Sequence, residues 1–308
     1  MERTQKKKKR TWLRVIGIML GLMVLGGGAY VYSVYQSVTN TAEAIHEPIK
    51  REKSEKRVEE LELVEKEPFS VLMLGVDERE GDRGRSDTMI VLTINPNTNS
   101  VKMLSIPRDT RTEIIGRGFE DKINHAYAFG GVEMSMNTVE NFLDIPIDYY
   151  LQINMEGFKD IVDAVGGVTV TNDLDFTYEG VHFPKGELTL DGEKALKYSR
   201  MRYEDPRGDF GRQLRQRQII QAVIKEGASI STLTNYNTIF TALSSNIKTN
   251  LTFDEMLDIQ KHYKSAAGEM EQLTVKGSGT KIDSIYYLMV TNEEQERLQS
   301  ELKTHLEI

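Results

Sequence analysis

The sequence predicts an α/β domain carried behind a single membrane anchor, and three observations lead there. Short apolar runs at 69–76, 88–95 and 101–106, rich in Val, Ile, Leu and Met, have the length and composition of buried strands. Beyond them, strand-like runs alternate with stretches of helical apolar spacing, the pattern of an α/β fold and not of an all-β one. Val15 to Val34 is an apolar run without a charge, long enough to cross a bilayer as a helix.

In chain order, the tail 1–14 carries Arg3, Lys6, Lys7, Lys8, Lys9, Arg10 and Arg14. Such a basic flank keeps the N-terminus in the cytoplasm and places everything after about residue 36 outside. The apolar run is longer than that of a cleaved signal peptide and ends in Tyr30, Tyr32 and Tyr35, interfacial aromatics that suit an uncleaved signal-anchor over 15–35. The expected topology is therefore single-pass type II in the cell membrane. Seven of the 39 basic residues and one of the 47 acidic residues lie before residue 15, so the remainder carries −14. A nucleic-acid binder needs the opposite sign, and nucleic acid is excluded as a partner. Without cysteines the exported domain must be held by its core. Residues 36–68, dense in Lys, Arg and Glu between Pro48 and Pro68, read as a solvated extracellular stalk or short surface helix.

The domain proper is expected over 69–308. Asn97 to Ser100 is a turn between neighbouring strands. A helical pattern through Met134, Val139, Phe142 and Leu143 stops before Pro146, and Asp148 to Ile153 is strand-like. Asn154 caps a helix carrying Phe158, Ile161, Val162 and Val165, which Gly166-Gly167 ends. Two short strands follow within 168–190. The stretch 191–202, DGEKALKYSRMR, begins helical and becomes extended, and a helix runs from about Phe210 to Lys225. Thr252 with Glu255, and Thr291 with Glu294, are capping boxes that start two more helices. Between them 270–290 reads as one or two strands around Gly277–Gly279, completing the same sandwich. This C-terminal part shows no polar constellation that reads as a site.

Polar clusters close or open the first three strands: Asp77, Glu78 and Arg79, then Arg85, Ser86 and Asp87, then Arg108 and Asp109. Paired strands would bring these carboxylates and guanidiniums to one rim, where they make either surface ion pairs or a metal-assisted site for a phosphorylated substrate. Arg200 and Arg202, two apart, face one way if the segment is extended; Arg212 and Gln216 do so at helical spacing. Glu204, Asp205 and Asp209 are at hand as partners, yet converging arginines suit a polyanion better than single carboxylates.

The strings LMLGVDERE, GRSDTMIVLTINP, SIPRDT, KINHAYAFGG, IPIDYYLQINMEGF, DAVGGV, LDGEKALKYSRMR and DPRGDFGRQLRQRQ resemble those of the LytR-CpsA-Psr family. The likeness is dense over 70–226, the motif-bearing core. It implies an α-β-α sandwich with a central mixed sheet and an apolar cavity for a polyprenyl tail. It also implies an extracellular, membrane-anchored phosphotransferase of Gram-positive bacteria. Such an enzyme moves wall teichoic acid or a related anionic glycopolymer from undecaprenyl diphosphate to the C6 hydroxyl of N-acetylmuramic acid in peptidoglycan. By resemblance Asp77 and Asp87 bind the metal, Mg²⁺ or Mn²⁺, and Arg85, Arg108, Arg200, Arg202, Arg212 and Gln216 bind the diphosphate. Arg79, Lys122, Asp209 and Arg215 fall in family motifs as supporting positions. Asp87 is also the candidate base for the attacking hydroxyl, since a carboxylate near that oxygen can take its proton. Two other readings use the same features: a hydrolase of the lipid-linked polymer, and a non-catalytic envelope regulator or binding protein.

Overall fold

The computed structural model describes residues 32–76, 84–229 and 246–308, apart from 34, 38, 41 and 52, and apart from the side chains of 227–229. Nearly all of the expected anchor, together with Asp77 and Arg79, lies outside the described residues. Among the described residues no helix is long and apolar enough to cross a membrane.

The three apolar runs become β1 (Phe69–Val76), β2 (Ser86–Asn95) and β3 (Ser100–Ser105), paired antiparallel in succession. A small hairpin of β4 (Arg111–Ile114) and β5 (Phe119–Lys122) leads into α1 (His125–Leu143), which kinks at Gly130 and Gly131. Next come β6 (Tyr149–Ile153) and α2 (Met155–Ala164), where Asn154 Oδ1 accepts from Gly157 N at 2.8 Å, the cap expected from sequence. Strands β7 (Val168–Asn172), β8 (Phe176–Tyr178), β9 (Val181–Phe183) and β10 (Gly186–Leu190) precede α3 (Gly192–Arg200) and α4 (Asp209–Ser229). The chain closes with β11 (Ile247–Thr249), α5 (Phe253–His262), β12 (Glu269–Thr274), β13 (Ser278–Ile282), β14 (Ile285–Met289) and α6 (Asn292–Leu306).

The central sheet is mixed and six-stranded, in the order β11-β6-β1-β2-β3-β12. Both of its faces are covered, which is why β1 to β3 read as near-continuous apolar runs. Leu72, Leu74 and Val76 point to the side of α1 and α6, where they meet Val139, Phe142 and Leu298. Val71 and Met73 point to the other side, where Ile220 of α4 and Ile259 of α5 join the cluster. A third cluster, around Phe176, Phe183, Tyr198 and Ile219, ties α3 and α4 to the strands of 168–190.

Three expectations are corrected. The stalk is not a solvated spacer from Ala42 onward: Ala42, Ile45, Ser54 and Leu63 are buried, and His46 bridges to Thr249 of β11. Arg57 donates to both oxygens of Asp148 at 2.8 Å, and Arg51 donates to Glu140 at 2.5 Å. The partners lie far along the chain, so local composition hid them. The 270–290 stretch contains three strands, of which only β12 joins the sheet. And Thr291 caps α6 through the N–H of Glu294, but the Glu294 side chain goes to Arg297 and the Lys276 N–H, so the reciprocal half of the expected box is spent elsewhere.

Candidate functional site

Three segments meet at the C-terminal end of β1. Strands β1 and β2 pair regularly as far as Gly75 and Thr88, after which Val76 pairs with Ser86, so Asp87 is the extra residue of a bulge. A bulge bends its strand and re-aims the unpaired side chain, and here it leaves the Asp87 carboxylate at the rim, partly exposed. Gly75 permits the close approach, because a Cβ there would lie 2.9 Å from Thr88 Cβ.

The second segment is the loop after β3. It is pinned by Ile123 N donating to Thr110 O (2.8 Å), Asn124 N to Arg108 O (3.4 Å) and Leu288 N to Asp109 O (2.8 Å). Held in this way, Arg108 donates through Nη1 to Asp87 Oδ1 at 2.7 Å and stands 3.8 Å from Asp109 Oδ2. Lys122 Nζ donates to the other Asp109 oxygen at 2.6 Å.

The third segment is the start of α4 and the turn before it. Arg212 Nη2 lies 2.7 Å from Asp209 Oδ1 and donates to the backbone oxygen of Asp87 at 3.4 Å. Arg202 Nε comes within 4.0 Å of the same Asp209 oxygen. Three guanidiniums thus share Asp87 and Asp209, while Asp109 is also held by Lys122. Burial pulls the Arg212 pKa down, and the attraction of Asp209 and Asp87, opposed by repulsion from Arg108 and Arg202, does not restore it. Burial acts on Arg108 too, but the Asp87 hydrogen bond and the fields of Asp87, Asp109 and Asp209 hold its guanidinium above the ordinary value.

Unpartnered polar atoms gather at this junction. Ser86 Oγ, Thr110 Oγ1, Asn124 Oδ1, Asp209 Oδ1 and Arg212 Nε are buried without a hydrogen-bond partner among the described residues. The Asp209 oxygen is close to Arg212 but misaligned for a hydrogen bond. Such atoms are uncommon in folded proteins and mark places where polar capacity is held for something else.

Arg200 and Arg202 do not project side by side. Arg200 is still the last residue of α3, and Met201 is the extended residue after it. Arg215 causes the break: it donates Nε to Tyr198 O (3.1 Å), Nη2 to Met201 O (2.5 Å) and Nη1 to Asp205 Oδ2 (2.6 Å). Fully buried, Arg215 is thereby a clamp beneath the arginine-bearing turn and does not reach its surface. Gly211 makes room for the clamp, since a Cβ would fall 2.0 Å from Asp205 Oδ2. Arg85, exposed just before β2, makes no hydrogen bond or ion pair with the described residues.

Behind Arg200 lies a small apolar pocket between the sheet and α2, α3 and α4. Met73, Gly75, Ile90, Ile153, Phe158, Leu196 and Ile220 line it, and Thr88, Arg200 and Gln216 supply its polar edge. Sequence periodicity carries no sign of this space, because a strand facing a cavity and one facing a filled core read alike. Tyr286 and Phe210 were also missed. They line a second pocket with Pro107, Asp109, Arg202, Arg207 and Asp209. Gly279, whose Cβ would collide with the Tyr286 ring, was the available signal.

Known proteins resemble this chain over most of its length. The model of the LytR_cpsA_psr family matches residues 32–304. A Bacillus cereus protein named polyisoprenyl-teichoic acid–peptidoglycan teichoic acid transferase TagU is 54% identical over 304 residues, covering 98% of this chain and 99% of its own. Among solved structures, Bacillus subtilis TagU is 53% identical with a TM-score of 0.65, over 79% of this chain and 98% of that one. YwtF (TagT) with bound octaprenyl pyrophosphate lipid is 32% identical with a TM-score of 0.71, over 85% of this chain and all of that one.

Proposed function

Because the chain belongs to the LytR_cpsA_psr family, we propose that it is a membrane-anchored phosphotransferase with its catalytic domain outside the cell. It moves teichoic acid or a related anionic glycopolymer from a polyprenyl diphosphate, undecaprenyl diphosphate in particular, to the C6 hydroxyl of N-acetylmuramic acid in peptidoglycan. One observation carries the reading: a rim of arginines with too few carboxylates stands beside an apolar pocket whose polar edge is Thr88, Arg200 and Gln216. That is the pairing a lipid diphosphate needs, headgroup on cations and tail in a dry groove. The names of the relatives and the octaprenyl pyrophosphate in YwtF support it.

In the proposed step the acceptor hydroxyl oxygen forms a bond to the phosphorus that bears the glycopolymer, and the bond from that phosphorus to the oxygen bridging to the lipid phosphate breaks. Lipid monophosphate leaves, and the hydroxyl proton passes to a carboxylate, for which Asp87 is the candidate. Negative charge grows on the leaving oxygens as the bond breaks. Arg108 and Arg212, held in advance by Asp87, Asp209 and the pinned loop, stabilise it with little reorganisation, and Arg202 stands beside them, 4.0 Å from Asp209. Gln216 and Arg200 hold the phosphate nearest the lipid at the cavity edge.

The donor chemistry at the bulge fits a hard cation. Asp87 Oδ1 takes the Arg108 bond, while Oδ2 has no partner among the described residues. No group of three or more His, Asp or Glu converges among the described residues, and Mg²⁺ or Mn²⁺ is commonly held by one or two carboxylates with substrate phosphates completing the shell. Asp87 with Asp77 would hold such an ion, which when bound would neutralise diphosphate charge and polarise the phosphorus–oxygen bond.

The test is transfer of lipid-diphosphate-linked polymer to peptidoglycan oligomers, by wild type, Asp77→Ala and Asp87→Ala, with and without chelator. Polymer covalently joined to glycan by wild type, and lost in both variants and in chelator, is expected. Polymer released but joined to nothing would make the protein a hydrolase, and full activity in chelator would remove the metal.

A further inference from the structure

We propose that the pocket on the far side of the arginines from the apolar cavity is the subsite for the acceptor glycan, an inference that rests on the phosphotransfer reading above. In-line displacement puts the attacking and leaving oxygens on opposite sides of the phosphorus. The lipid leaves toward the cavity edged by Thr88, Arg200 and Gln216. From there the contacts run through Asp87, Arg108 and Arg212 to Asp209 and Arg202. The last two line the second pocket with Asp109, Arg207, Phe210 and Tyr286. An acceptor hydroxyl approaching opposite the lipid comes from this pocket.

Its chemistry suits a sugar and not the anionic donor polymer. Two arginines face two aspartates there, and Arg207 is already spent, donating to Asp173 at 2.6 and 3.0 Å and to Asp205 at 2.9 and 3.0 Å. With Arg207 engaged, one arginine is left against two aspartates, so the pocket offers a polyphosphate chain little attraction, whereas hydroxyl edges can use both the acids and the Arg202 guanidinium. Aromatic rings are the other half of sugar recognition, since their faces cover the apolar C–H face of a pyranose. Phe210 is 42% exposed and Tyr286 45%, at the pocket itself, and Tyr203, 91% exposed, lies beside Arg202 with its ring 5.8 Å from the guanidinium. Large rings left in water beside a polar pocket point to a ligand.

The fold also holds this platform at a set distance from the reacting groups. Leu288 N donates to Asp109 O, and Thr110 bridges to Leu288, so the β13–β14 hairpin is tied to the loop that carries Arg108. Tyr286 packs on the bare backbone of Gly279, where a Cβ would come within 2.7 Å of its Cε2.

The experiment uses the full chain in nanodiscs and varies donor and acceptor separately, the acceptor being an oligosaccharide of alternating N-acetylglucosamine and N-acetylmuramic acid. Tyr286→Ala and Tyr203→Ala should each raise the KM for acceptor about tenfold, the loss of one ring contact, with the KM for donor unchanged; Tyr286→Phe should restore the wild-type value. Tyr203 is so exposed that its loss leaves the fold intact. A rise in the donor KM alone would give the pocket to the donor polymer and overturn the proposal, as would no change in either constant. Saturation-transfer NMR of the oligosaccharide on the same proteins separates this from failure of the transferase reading. Binding by wild type that is lost in both alanine variants supports the subsite even if no polymer is ever joined; binding kept in both overturns it.

Discussion

Arg108 and Arg212 lie on one rim, yet their basicities move in opposite directions: burial, deeper for Arg212, lowers both, and only Arg108 has a hydrogen-bonded carboxylate that outweighs it. Arg108 has a well-aligned Asp87, whereas Arg212 has a misaligned Asp209 and an Nε with no partner among the described residues. Diphosphate should therefore gain most from Arg212, the guanidinium with most unmet capacity. Arg212→Ala is expected to weaken diphosphate binding by about 1.5–3 kcal/mol, the worth of a hydrogen bond to a charged group, measured by calorimetry with a short-chain prenyl diphosphate. Its melting temperature should change little, since its own contacts are a misaligned ion pair with Asp209 and one long hydrogen bond, 3.4 Å, to the Asp87 backbone oxygen. Arg215, three residues on, behaves in the reverse way. Burial alone would raise the pKa of its partner Asp205, but hydrogen bonds from Arg207 and Arg215 more than reverse this and hold the carboxyl well below the carboxylate range. A depressed folded pKa means the stabilisation is complete above the unfolded value of about 3.9 and is lost as pH falls through the folded one. Wild type should thus melt at a constant temperature down to about pH 4 on account of this pair and lower below it. Asp205→Asn leaves a buried guanidinium uncompensated and should lose about 3–5 kcal/mol at neutral pH, together with that acid limb, in thermal melts across pH. Nothing local distinguishes Arg215 from Arg212 in the run GRQLRQRQ; which one turns inward depends on the helix phase against Tyr198 and Met201.

At the scale of elements, the helix starts were legible because Asn154, Asp191 and Thr252 each set a side-chain acceptor against an otherwise orphaned backbone N–H. The β13–β14 hairpin was not, because its turn residues Asp283 and Ser284 take φ of 49° and 68° without a glycine between them, where the usual signal is Asn-Gly or Asp-Gly. The bulge at Asp87 was equally hidden, since it exists only in the register between two strands. Most site residues were readable as charged motifs at strand and helix ends, but their division between two pockets was not, because it follows from where α3 stops. The apolar cavity is the element-level feature with most at stake. Ile220 of α4 lines it and packs against the cluster of Val71 and Met73, and Ile220→Trp would extend a ring into the open space. Lipid carried through purification should fall to background by mass spectrometry, while a water-soluble diphosphate still binds at the arginines and the melting temperature stays level or rises. Retained lipid with unchanged stability would place the tail elsewhere.

For the whole molecule, the docked segment changes what the stalk can do. Residues 32–45 are helical where described, Tyr35 meets Phe253 edge-on at 5.9 Å, and from Ala42 onward the chain is bound to the domain through His46, Arg51 and Arg57. Removing Arg57 leaves Asp148 buried with only Ser70 as partner, so Arg57→Ala should destabilise the domain by about 3 kcal/mol in urea unfolding. A chain shortened to begin at Phe69 should be weaker still. With the proposed anchor at 15–35, only a few residues separate the bilayer from this docked segment, and a helix there transmits orientation as well as distance. A flexible stalk would let the cavity mouth wander; a stiff one keeps it at a fixed height over the leaflet that supplies the lipid. Inserting a ten-residue Gly/Ser linker between Gln36 and Ala42 separates these cases. Transfer from a donor embedded in the same nanodisc should fall several-fold, while transfer from a detergent-dispersed short-chain donor should match wild type, because the site itself is untouched. Equal rates with the embedded donor would show that the tether acts only as a leash, and the docking of Arg51 and Arg57 would then serve stability alone.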